Sequence, residues 1–299
     1  MWIELARIVH GKDASSEALA LLNTVQSAVN EGRWVLPLSS VHYVELSRVS
    51  NVDRRERLGA VMFDLSRGIT LAPTRQIIEH EVEVALGRRW PNVEVRSFQL
   101  LGFGVGHAFG IELPASWHGP NGVRLERAVL AGDAQWAVSS PGYRGTEFRE
   151  NFQKHLEAMR GTRTLPRTSW EDALCAISMI DILDPLNRMA VHHGFDKSLL
   201  TALGKAGLAE WLQEMPSRRV DMHLHRQVLK DPTYRPKASD LEDWAALGMA
   251  CAYCDVVACE KHMAAMLNRD HFRERARVER RLVDAVRWLA FVDPGASRE

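Results

Sequence analysis

The chain has 299 residues with Lys+Arg and Asp+Glu both at 38, so its formal net charge is zero, and 46% of its residues are hydrophobic. This length suggests about two domains, or one with a large insertion, and the balanced charge excludes a globally basic nucleic-acid coat, although not a local basic patch. Four cysteines in a chain of this size do not form a secreted disulfide framework, and no apolar run reaches the about 18 residues of a membrane span, so a soluble, cytoplasmic protein is expected.

In chain order, Ile3 to His10 reads as a helix with Ile3, Leu5, Ile8 and Val9 apolar. Ser15 to Glu31 reads as a second helix, carrying Leu19, Leu22, Val25 and Val29 at helical spacing, and Gly32 stops it. "RWVLPLSS" reads as a short strand, "SSVHYVELSRV" as a helix capped by Ser39 or Ser40, and "DRRERLGAVMFDLSRG" as a helix ended by Gly68. "ITLAP" is a second short strand and Thr74 to Arg89 a further helix. This alternation predicts an α/β domain with a parallel sheet.

After Trp90 the character changes. Leu101 to Gly122 is rich in glycine and proline and reads as an irregular loop, and Gly145 to Gln213 reads as helical, as does "PSRRVDMHLHRQVLKD". "PTYRPKAS" breaks that pattern, "DLEDWAALGMACAYC" is a helix, and "DVVACE" a strand that follows it directly. "ERARVERRLVDAVRWL" reads as a charged amphipathic helix, with "AFV" a short strand candidate after it. The expected organisation is one α/β domain, residues 1–90 and 216–299, interrupted by a large, mostly helical insertion over 91–215.

Four acids stand at matching places on that outline: Glu45 after the first strand, Asp243 in the helix before "DVVACE", and Asp255 and Glu260 bracketing that strand. Groups near the carboxyl ends of parallel strands converge on one crevice. Carboxylates sharing a crevice repel one another unless a hard cation neutralises them, and Mg²⁺ or Mn²⁺ suits all-oxygen ligands. Taken singly, Glu45 reads equally as an exposed helix acid, Asp243 as a favourable charge at a helix N-terminus, and Glu260 as a partner for Lys261.

At "VHYVELSR", "LEDWAALGMA" and "YCDVVACEK" the sequence resembles the PIN-domain nucleases. Cys259 stands where that family often has Thr, and the resemblance covers about the first ninety and last hundred residues. It implies a parallel-sheet PIN-like domain and a metal-dependent ribonuclease, on RNA rather than DNA, of the kind found in toxins, RNA processing and defence. It assigns Glu45, Asp243, Asp255 and Glu260 to metal-assisted phosphodiester hydrolysis, with Glu45, Asp243 and Asp255 holding Mg²⁺ or Mn²⁺. The family's first Asp should lie just ahead of "WIELAR". The reading frame upstream of Met1 is therefore expected to encode a short strand ending in Asp-x-Asn. Its absence from these residues favours the alternative of a catalytically silent PIN-like scaffold whose insertion binds a protein or nucleic acid.

Arg48, Lys261 and His262 lie close to the proposed crevice and are candidate phosphate contacts, with a solvated face as the plainer reading. Cys251-Ala-Tyr-Cys254 is a lone CxxC and reads as buried cysteines rather than a zinc site. His223 and His225, two apart on a helix, point to different faces, and His192-His193 reads as a turn.

Overall fold

The computed structural model describes residues 1–118, 122–131, 158–231, 233–234 and 240–292. The amino-terminal third is built from four helices whose apolar residues recur three and four apart. α1 (Trp2–Val9) buries Trp2, Leu5, Ala6 and Ile8. α2 (Ser16–Asn30) starts at Ser15, whose hydroxyl accepts from the Ala18 amide, and buries Leu21, Leu22, Val25, Ala28 and Val29. α3 (Ser40–Ser47) and α4 (Val52–Ser66) follow, α4 capped by the Asn51 side chain at 2.8 Å from the Arg54 amide. Arg67 at φ 53° and Gly68 at φ 69° turn the chain out of α4 through the left-handed region.

The remaining elements are β1 (Ile69–Leu71), α5 (Thr74–Arg89), β2 (Leu101–Phe103), α6 (Gly104–Phe109), α7 (Gly122–Ala131), α8 (Trp170–His193), α9 (Ser198–Ala202), α10 (Gly204–Gln213), α11 (Pro216–Lys230), α12 (Asp240–Tyr253), β3 (Val256–Ala258), α13 (Lys261–Leu267), β4 (Arg277–Glu279) and α14 (Leu282–Val292). Of the described residues 69% are helical, and their strands form two separate pairs, β1 with β2 antiparallel and β3 with β4 parallel.

The expected α/β class, a parallel-sheet PIN-like domain, is therefore corrected: this is a mostly helical fold. Each described strand has three residues, too few to build a sheet that helices could cover. "RWVLPLSS" shows where the expected central sheet fails. It contributes a single parallel bridge, in which the Leu38 amide donates to Ile69 O at 2.9 Å and the Leu71 amide to Leu38 O at 2.7 Å. Pro37, with no N–H, cannot extend that ladder on its own side. "AFV" lies in α14 rather than in a strand, and within "ERARVERR" Arg277 to Glu279 form β4. The glycine-rich run after Leu101 is ordered into β2 and α6. Most of "TEFRENFQKHLEAMRG" lies outside the described residues.

Two large apolar cores, with a small third around Ala72, Ile77 and Met249, replace the sheet. One gathers α1 to α4 with α6, α7 and α14 around Leu5, Leu38, Tyr43 and Val105. The other gathers α5, α8 to α13 and β3 around Ile182, Trp211, Met215, Leu224 and Met263, so residues from both sides of position 216 share it. Among the described residues no helix is long and apolar enough to cross a membrane.

α4 and α7 cross at Gly59, where an added Cβ would stand 2.6 Å from the Ala131 Cα and 3.0 Å from the Leu130 carbonyl oxygen. Backbone cannot yield as a flexible side chain can. Gly59→Ala is expected to force α7 outward and destabilise the protein by about 1–3 kcal/mol, despite alanine's better helix propensity. A urea titration checks this; equal or greater stability would refute the close crossing.

Candidate functional site

α12 and β3 set the geometry of the acids. Asp243 lies in the first turn of α12, and the ten residues from there to Tyr253 span about 15 Å. Asp255 follows the helix's far end, and β3 packs back along α12, so Glu260, about 16 Å further along the extended chain, returns toward the helix's start. Asp255 and Glu260 thus occupy opposite ends of β3.

Electrostatics agree with this reversal. The Cys259 thiol is pushed up to about 12, by burial first and then by the negative charges of Asp243 and Glu260. Two acids seventeen residues apart therefore act on one sulfur. α3 packs against α12 and carries Glu45, exposed, one turn beyond His42. Arg48 is the residue that ends α3, and Lys261 and His262 begin α13; all three are exposed. His262 Nδ1 lies 3.4 Å from the Glu260 carboxylate.

Asp255 is not brought into this group. It is exposed and ion-paired with Arg275 at 2.9 Å, at the end of β3 remote from Asp243. An ion held jointly by Asp243 and Asp255, as the sequence leads one to expect, would have to bridge about 15 Å of helix. Ligand distances of about 2.0–2.6 Å rule that out. Asp243 and Glu260 both act on Cys259, and Glu45 lies on α3, which packs against α12; the three do not stand at metal-ligand spacing, which among the described residues only Glu83, His192 and His193 reach.

His42 precedes Glu45 by one turn on α3. Its Nδ1 accepts the Ser39 amide at 2.9 Å and its ring meets Trp2 edge-on at 6.1 Å. Burial, helped by the charge of the chain's amino terminus, lowers its pKa from 6.5 to about 4. The folded ring is neutral where the unfolded ring would already take a proton. Stability should therefore be full above pH 6.5 and fall as pH drops from 6.5 to 4. Chemical denaturation of wild type and His42→Gln across this range checks it, and an identical pH dependence for both would exclude His42 as the cause.

A second cluster escaped the sequence reading. Glu83 on α5 is buried, and its Oε1 lies 2.7 Å from both His193 Nε2 and Arg96 Nε, while the Arg96 amide donates to Oε2 at 3.1 Å. Ligand atoms of Glu83, His192 and His193 all lie within 4.8 Å of one another, close enough for a metal. Burial would raise the Glu83 pKa, but the bonds from His193 and Arg96 outweigh it and hold the carboxyl below its ordinary value. Its counterion is already Arg96. The two histidines end α8 rather than forming a turn. Their partner stands 110 residues away, beyond any local pattern.

The other motifs are structural. All four cysteines are free. Burial pushes the Cys254 thiol up to about 11 and Cys251 higher still, so this CxxC offers no ready thiolate. His223 bonds the Met266 carbonyl oxygen at 2.9 Å and His225 the Asp221 carbonyl oxygen at 2.8 Å, so the pair shares no ligand.

Carboxylate oxygens such as those of Glu45, Asp243 and Glu260 are the ligands a hard divalent cation such as Mg²⁺ or Mn²⁺ prefers, but these three do not lie at ligand spacing in this structure. Compared with protein-family models, with curated proteins and with solved structures, the chain matches none.

Proposed function

We propose that this chain is a divalent-metal-dependent nuclease acting on RNA, with Glu45, Asp243 and Glu260 holding Mg²⁺ or Mn²⁺ at the carboxyl end of β3. What supports the reading is that Asp243 on α12 acts on Cys259, sixteen residues further along the chain and next to Glu260, where β3 packs on that helix. When bound, the ion would polarise a phosphodiester oxygen and supply a water of lowered pKa. Asp243, half-buried, supplies a fixed negative charge. Exposed Glu260 closes the rim, and Glu45 completes the charge needed to bind a divalent ion. Arg48, Lys261 and His262 offer exposed positions from which cations could orient substrate phosphates. The test is cleavage of single-stranded RNA in Mn²⁺, with and without chelator; RNA left intact under every divalent ion would end this reading.

The placement of Asp255 favours a second reading, a scaffold that binds nucleic acid or protein without cutting. One of the four expected acids is engaged by Arg275 instead, so the site has fewer ligands than the motif promised. Binding of RNA without cleavage would support it.

A further inference from the structure

Between α1 and α4 lies an open cavity of about 610 Å³ that the acids do not enter. Arg7, Lys12, Arg54 and Arg57 line it with His10, and Asp53 is its one acid. Each of the four cations is exposed, and none makes an ion pair among the described residues. In a chain of zero net charge, that is a strong local excess of positive charge. Ile3, Ala6 and Leu58 give the cavity an apolar floor. Cations around a partly apolar floor suit a single strand, whose phosphates seek charge and whose bases seek an apolar face.

We propose that this cavity is a binding cleft for the phosphates of single-stranded RNA. The inference rests on the nuclease reading for the course of the strand. α1 is eight residues, about 12 Å, and its first end lies against α3, the helix that carries Glu45, where Trp2 meets His42 edge-on at 6.1 Å. Its other end carries Arg7 and leads to His10 and Lys12. A strand laid along α1 has one phosphate at the acids and its neighbours in the cleft.

The test measures fluorescence anisotropy of a labelled oligouridylate in EDTA, where no cleavage occurs. Wild type should bind, and affinity should fall steeply as salt rises from about 50 to about 200 mM. Arg54→Ala/Arg57→Ala should weaken binding about tenfold and flatten the log–log salt slope by about 1.4, two phosphate contacts at about 0.7 each. Both residues are exposed, so the fold should persist, and Arg160→Ala, outside the cleft, should bind as wild type does. No binding by wild type, or equal binding by the double variant, would overturn the proposal. If the double variant loses binding while wild type cuts nothing in Mn²⁺, the cleft stands and the nuclease reading falls. If wild type cuts and the double variant binds and cuts equally well, the cleft falls alone.

Discussion

Asp243→Asn is expected to lower RNA cleavage in Mn²⁺ by about a thousandfold, because a carboxylate ligand contributes several kcal/mol of charge that an amide cannot. The substitution keeps the side chain's size in the first turn of α12, so the fold should survive. A second readout does not depend on activity. The Cys259 thiol is held up by burial and by two acids, so removing one of them should lower its pKa and speed alkylation at alkaline pH. Asp255→Asn is the internal contrast. Its carboxylate sits beside Arg275 at the opposite end of β3, and its removal should leave the cleavage rate unchanged. Cleavage equal to wild type in Asp243→Asn, or lost in Asp255→Asn, would refute this assignment of the site.

Much of the local structure was legible because apolar periodicity and stop signals act over a few residues. α2 could be read from Leu22, Val25 and Val29 with Ser15 ahead and Gly32 behind, and β1 and β3 from their apolar runs. The parallel sheet was not legible, since alternating helices and short apolar runs fit either a covered sheet or a helical packing with β-pairs at its edges. What decides is strand length, and Leu38 forms one bridge where a sheet would need a ladder. The approach of Asp243 to Cys259 follows from a helix that leads directly into a strand packed on it. The same reversal sends Asp255 the other way, a consequence of strand direction that residue order alone does not display. Glu83, Arg96 and His193 come from three distant segments, and nothing in any one of them announces the others.

Arg218→Met is expected to destabilise the protein by about 3–5 kcal/mol, the usual cost of breaking a buried ion pair by removing one member. Arg218, on α11, is 6% exposed, and its Nη1 donates to Asp181 at 3.0 Å and approaches Asp221 at 3.5 Å. Methionine fills the space of the stem but offers those carboxylates no charge. His225 modifies the loss, because its Nδ1 lies 3.2 Å from the same Asp221 carboxylate. Burial lowers the His225 pKa, but the Asp221 charge and hydrogen bond outweigh it and raise it above the ordinary value. A base with a raised folded pKa contributes stability below its unfolded value, and that stability is lost as pH rises through the folded pKa. Removing Arg218 leaves the acids more dependent on the protonated ring, so the variant's deficit should be smaller in mildly acidic buffer than at alkaline pH. Urea denaturation of wild type, Arg218→Met and Arg218→Met/Asp221→Asn at both pH values measures this. The double variant should recover part of the loss, since one of the two carboxylates that faced Arg218 is then neutral. A deficit below about 1 kcal/mol, or one that ignores pH, would mean that water already solvates these carboxylates and that Arg218 holds α8 and α11 together by packing alone.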